Sequence, residues 1–301
     1  MNDWFDITAK VGGVYLGIWA GLVILTIVEA VFYRRFRKQA FDWKSMLASI
    51  AMAAGHKVEG ALAVTLVVFQ FRWVAEHRLF DIQMDAWWKT LLLFLTADFF
   101  YYWQHRLSHE IRWFWATHSV HHSAEQLTVL ANYRHGWTGA VTGIALLYLP
   151  VVFIGFPPNA AIKMLGFIIL YQFWVHTELI GRLGWLDRVF NTPSNHRVHH
   201  ARNEEYLDRN YGGVLIIFDR IFGTYVPEDD KIKIEYGLLG HKGSHNPLWL
   251  AFREWTYIFR DVRKAKNWRE RWGYLIGKPG WQPMPVPAPK PARERKRRKA
   301  A

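Results

Sequence analysis

Five apolar runs, separated by short polar stretches, dominate the first 175 residues. Residues 12–33 carry one charge, Glu29, across a length matching the roughly 20 residues that span a bilayer's hydrocarbon. Residues 46–73 form a second run, interrupted by His56, Lys57 and Glu59, which must lie near one end, in a bend or in a cavity. Further runs cover 86–103, 137–156 and 160–175, the last two joined by Gly155-Phe-Pro-Pro-Asn159, a turn because paired prolines stop a helix. The pattern predicts an all-α fold, a polytopic membrane helical bundle. Arg34, Arg35, Arg37 and Lys38 follow the first run and Asp3 and Asp6 precede it, so the positive-inside rule places residue 34 in the cytoplasm. Counting crossings from there, residues just after 103, just before 137 and just after 175 all face that side.

Composition agrees with a bilayer. Of 301 residues 51% are hydrophobic, with 17 Trp, 20 Phe and 13 Tyr. Trp and Tyr favour the membrane–water boundary. The absence of cysteine excludes disulfides, iron–sulfur clusters, thiolate haem and Cys-type zinc sites. The net charge of +13 is uneven, with seven Lys/Arg against Glu294 between Lys290 and Ala301. Basic residues gathered in a tail and beside apolar runs mark anionic lipid rather than nucleic acid, so no nucleic-acid partner is expected. The prolines of 283–291 and the basic run after them predict a disordered tail. The first run is too long for a signal h-region and lacks a basic region before it, so no cleavable leader is expected.

Eight of the fourteen histidines fall in three five-residue windows: His105 and His109; His118, His121 and His122; His196, His199 and His200. On a helix, residues three and four apart share a face with Cβ atoms about 5–6 Å apart. Each window is therefore expected to point its rings in one direction, toward a shared metal. Neutral imidazole is a ligand at ordinary pH. Eight ligands exceed one tetrahedral ion and predict two. Imidazole alone does not separate iron from other first-row metals. The clusters sit just beyond the ends of the runs and land on one membrane face, giving a cytoplasm-facing, histidine-rich di-metal cap.

Other residues fall near these windows. His176 emerges from the fifth run and His135 follows the second window, so both are further candidate ligands. Asp98, two turns before His105, is either a carboxylate accepting a ligand's second ring N–H or a buried polar residue with a local partner. Glu110 is either a helix-end charge or a cofactor contact. Asn210 is a candidate for completing a metal's coordination, directly or through water. Asp219 lies in the turn Phe218–Gly223. Glu110, Asp98, Asn210 and Asp219 are thus the candidate catalytic residues, while His56, His77, His241 and His245 read as structural.

Taken in order, His105-Arg-Leu-Ser-His-Glu110, Leu170-Tyr-Gln-Phe-Trp-Val-His-Thr-Glu178, Asn191-Thr-Pro-Ser-Asn-His-Arg-Val-His-His200 and Asn210-Tyr-Gly-Gly-Val-Leu-Ile-Ile-Phe-Asp-Arg-Ile-Phe-Gly-Thr224 resemble the fatty acid hydroxylase/sterol desaturase superfamily of membrane di-iron enzymes. The similarity covers about residues 88–227 and is greatest to its alkylglycerol monooxygenase branch. The resemblance implies two iron ions held by the eight clustered histidines, with His176 a ninth ligand and His135 a tenth. It implies hydroxylation of a lipid C–H bond with O2, and in that branch cleavage of an alkyl glycerol ether to aldehyde and glycerol. There the acid after HxxxH, here Glu110, is associated with tetrahydrobiopterin. The partners implied are a membrane lipid, O2 and an electron donor, either pterin or a redox protein. Acyl, sterol, carotenoid or amino-lipid hydroxylation or desaturation with a ferredoxin or cytochrome donor is the second reading. A His-rich membrane metal transporter is the reading from another class. The organisation expected is a transmembrane region 1–85, a hydroxylase core 86–230, a peripheral helical segment 231–282 and the tail 283–301. The membrane expected is a bacterial inner membrane or the endoplasmic reticulum.

Overall fold

Asp42 accepts the amide of Ser45 at 2.9 Å and so starts the longest helix of the protein. In the computed structural model, which describes residues 20–283, that helix is α2 (Trp43–Glu76). It is preceded by α1, residues 20–32, which runs into a π-helical turn at Tyr33–Arg37. Among the described residues α2 is the one helix long and apolar enough to cross a membrane. Most of its surface is uncovered: Val58, Leu62, Leu66, Phe69 and Trp73 are all exposed. The run 12–33 lies partly, and the basic tail almost wholly, outside the described residues.

Residues 86–103 become the first part of α3 (Trp87–Glu110), whose last turns carry His105 and His109. The fourth run is not one helix. It breaks into helical turns at Gly139–Thr142 and Ile144–Tyr148 and a short helix Leu149–Ile154. Gly143, at φ 70°, ends the first of these, a conformation costly for any residue with a Cβ. Tyr148, Val151, Val152 and Phe156 are then buried in one core with Phe71, Leu93 and Ile168. The fifth run is α5 only in part, Pro158–Tyr171, about 21 Å at 1.5 Å per residue against a hydrocarbon core of about 30 Å. The fourth and fifth runs are thus a short packed hairpin, not two full spans.

The remaining elements assemble around the end of α3. Helix α4 (Arg112–His118) turns back from it, and α6 (Pro193–His200) carries the third histidine window. The C-terminal pair α7 (Pro247–Lys264) and α8 (Trp268–Ile276) buries Trp255 and Ile258 against Ala116 of α4. No strand occurs among the described residues, which show isolated bridges at Phe190–Leu215 and Ala201–Tyr236.

Candidate metal centre

Nine imidazoles from four separate stretches meet in two groups. One nitrogen each from His105, His109, His118, His122 and His199 lie within 4.8 Å of one another, and the same holds for His121, His176, His196 and His200. The expectation that each window serves one metal is corrected here. His118 and His122 join the first group while His121 joins the second, and His199 separates from His196 and His200 in the same way. Neighbouring residues on a helical path point about 100° apart, so a window with adjacent histidines straddles two sites.

The protonation state follows from the partners. Backbone carbonyls only accept, so the Nδ1 atoms facing them carry the proton. His105 donates to the Tyr211 carbonyl at 2.9 Å, His199 to that of Arg209 at 3.0 Å and His176 to that of Gln172 at 2.7 Å. Their Nε2 atoms therefore present lone pairs. The Nε2 of His176 nonetheless stands 3.0 Å from that of His121, 2.9 Å from that of His196 and 3.2 Å from that of His200. One lone pair cannot accept from three rings. The first group repeats this, with Nε2 separations of 3.1 Å for His105–His118, 3.3 Å for His118–His122 and 3.1 Å for His122–His199. Nitrogens about 2.1 Å from a common cation, at right angles, stand about 3.0 Å apart. His109 Nε2 is buried with no hydrogen-bond partner. Both nitrogen sets fit a first-row metal.

Burial holds the rings of His118, His121, His122, His196 and His200 well below the ordinary imidazole pKa, and their neighbours push the same way. Neutral rings are what a metal needs. Trp115 closes over the first group, its ring centroid 5.1 Å from His109 and 5.6 Å from His122.

The loop 209–215 holds this arrangement, and it reassigns three candidates. Asp98 does not meet a ligand ring; it accepts the amides of Val214 and Leu215 at 2.8 and 2.9 Å. Asp219 accepts the amides of Tyr211 and Gly212 and the Thr224 hydroxyl. Its carboxyl is pushed up to about 6 by burial, against the pull of these hydrogen bonds. Asn210 has no atom free for a metal. Its amide donates to the carbonyls of Asn195 and Val226 and its oxygen accepts the Val226 amide, in a left-handed backbone at φ 57°. The three side chains anchor the loop that supplies two orienting carbonyls, Arg209 and Tyr211, a job sequence reasoning missed. Only the unusual density of Asn, Asp and Gly in 208–224 signals it.

His135 joins neither group. It stacks on His121 with 5.8 Å between centroids and 4° between planes, and lies 5.1 Å from His56. Glu110 accepts from Arg106 at 3.0 Å and is half-buried beside the first group. His56, His77 and His245 have other partners: the Gly136 carbonyl, the Trp73 carbonyl and Asp42. His241 stacks on Tyr257.

A family model described as fatty acid hydroxylase matches residues 90–224. All nine grouped histidines and the loop anchored by Asp98 and Asp219 lie within this stretch. The chain is 38% identical over 207 residues to alkylglycerol monooxygenase of Xenopus tropicalis, covering 69% of this chain and 46% of that protein. It is 37% identical over 221 residues to the alkylglycerol monooxygenase of Homo sapiens, covering 73% and 48%. Ornithine lipid hydroxylase OlsE of Rhizobium tropici is 30% identical over 159 residues, covering 52% and 48%. The chain thus spans about half the length of these relatives. No solved structure matches. The matched region ends before α7 and α8.

Proposed function

We propose that this chain is a multi-pass integral-membrane di-iron monooxygenase that hydroxylates a membrane lipid from the cytoplasmic side. The observation that carries this reading is the pair of buried nitrogen sets whose lone pairs converge. Sets of five and four leave positions at each ion for other ligands, unlike a closed structural zinc site. When bound, the two irons would supply activation of O2. The exposed apolar surface of α2 and of Trp87, Trp88, Leu91 and Leu92 at the start of α3 supports placement in a bilayer. A hairpin returns the chain to the side it left whether or not it crosses, so the short 144–171 hairpin keeps all histidine stretches on one face. A hydroxylase core of 86–230 flanked by 1–85, 231–282 and the tail 283–301 suits this arrangement.

The substrate class proposed is an alkyl glycerol ether, after the monooxygenases this chain is similar to. One oxygen atom of O2 enters the C–H bond beside the ether oxygen. The other leaves as water with two electrons and two protons from the donor. The hemiacetal then collapses to a fatty aldehyde and glycerol. The chain's residues hold the rings neutral, orient three of them through carbonyls and keep water out with Trp115 and the packed hairpin. Tetrahydrobiopterin is the proposed donor, with Glu110 beside its place.

The test is purified protein in nanodiscs, loaded anaerobically with Fe(II) and given an alkyl glycerol, a reduced pterin and 18O2. About two irons per chain and labelled aldehyde are expected. Acyl-chain hydroxylation of ornithine lipid with a protein donor, and no aldehyde, would favour the second reading, which the similarity to OlsE supports. Glu110→Ala should slow the pterin-driven reaction while keeping the iron; equal loss of both would refute the role of Glu110.

A further inference from the structure

Helices α7 and α8 lie beyond the residues that the family model matches, and each turns an apolar stripe outward. Leu248, Phe252 and Phe259 on α7 are exposed along one side, with Trp249 at its edge. On α8, Trp268, Trp272 and Ile276 are exposed at the i, i+4, i+8 spacing that makes one stripe. Basic residues border both stripes. Arg260, Arg263, Lys264, Arg269 and Arg271 are all exposed. The acids nearby are engaged: Asp261 accepts from Arg112 at 2.8 Å and from Arg260 at 3.2 Å, and Glu270 accepts from the Lys266 backbone amide and the Asn267 side-chain amide. Arg260 stacks on Tyr257 and Arg269 on Trp268, stems along aromatic surface and charge toward solvent.

We infer that α7 and α8 lie in the plane of an anionic bilayer, their Trp/Phe stripe in the headgroup–acyl boundary and their arginines on lipid phosphates. Apolar aromatics rimmed by Arg and Lys are the mark of an interfacial helix, and the rim's excess of positive charge selects an anionic surface over a second copy of this equally basic chain. The position on the fold agrees. Leu250 and Ala251 of α7 pack on Ala48 and Met52 of α2. The stretch of α2 from residue 58 to its end at Glu76, covered at Phe71 but exposed at Val58, Leu62, Leu66, Phe69 and Trp73, is about 28 Å long, close to one hydrocarbon thickness. So α7 crosses α2 just where the membrane level is expected. The opposite face of the pair grips α4, which carries His118: Arg112 binds Glu254 and Asp261, and its amide binds the Gly277 carbonyl. The lipid surface thereby supports the platform of one metal ligand.

The chain has no cysteine, so single labels are unambiguous. Full-length Phe252→Cys and Trp272→Cys, each carrying a nitroxide, are reconstituted in phosphatidylcholine vesicles with and without phosphatidylglycerol. A label at Glu204→Cys serves as the water-exposed reference. With phosphatidylglycerol, collisions with oxygen are expected to dominate over those with an aqueous nickel chelate at 252 and 272, and the balance to shift toward water without it. Ready access of the chelate in both vesicles overturns the proposal. Shielding from both agents with spin–spin broadening assigns the face to a second copy and also overturns it. Equal depth in the two vesicles overturns the claim that the rim reads lipid charge. None of these outcomes involves iron content or product, so the catalytic reading stands or falls separately.

Discussion

His121 and His135 show how much one ring's direction decides. His121 is buried, His135 is partly buried and their rings are parallel, yet only His121 aims a nitrogen into a convergent set. His121→Ala is therefore expected to lose the second ion, while His135→Ala keeps both at saturating iron, as elemental analysis would show. Two ions retained in His121→Ala would remove the ring from the ligand set. Asp98 makes the same point for carboxylates. Its two backbone hydrogen bonds were hidden from the sequence because the partners, Val214 and Leu215, lie far along the chain. Truncating it strands two buried amides, at a cost of about 3 kcal/mol. Asp98→Ala should lower the thermal midpoint accordingly and weaken iron retention, whereas a carboxylate serving only catalysis would leave the midpoint unchanged.

Among the elements, α6 is the most constrained. Every residue from Pro193 to His200 is buried, though four of the eight are His or Arg. Its Arg197 binds Glu228 through Nε at 3.1 Å and Nη2 at 2.7 Å, and the Ile180 carbonyl through Nη1. Burial alone would raise the Glu228 carboxyl, but Arg197 outweighs it and holds the group below its ordinary value. Glu228→Gln is expected to cost about 3 kcal/mol by leaving Arg197 buried without its counter-charge. Thermal unfolding measures this, and a change within error would mean the pair is dispensable. Element boundaries were legible where the apolar pattern and caps agreed, as at α2. The pattern misled at 137–156, because an apolar run reads alike whether it faces lipid or packs into a core broken at Gly143.

At the scale of the molecule, the cap is a protonation trap. Its rings titrate well below the imidazole value of about 6.5 that the unfolded chain would show. Between those values the unfolded chain binds more protons, so stability is full above about pH 6.5 and falls as the pH is lowered through it. Metal occupancy should fall in the same direction, since protons compete for the same nitrogens. Iron release and loss of near-ultraviolet dichroism are expected together on acidification. Retention of both well below that pH would contradict convergent neutral rings.

The histidine spacing alone pointed to a metal and singled out eight of the nine histidines that converge in two groups, because a metal constrains residue chemistry so tightly that few other patterns satisfy it. The apolar runs likewise announced helices. Which ring serves which ion, which carbonyl sets its tautomer, and whether a given Asp or Asn meets a metal or a backbone amide were decided only in three dimensions. Those outcomes depend on contacts between residues up to 117 positions apart, and such contacts leave no periodic trace along the chain.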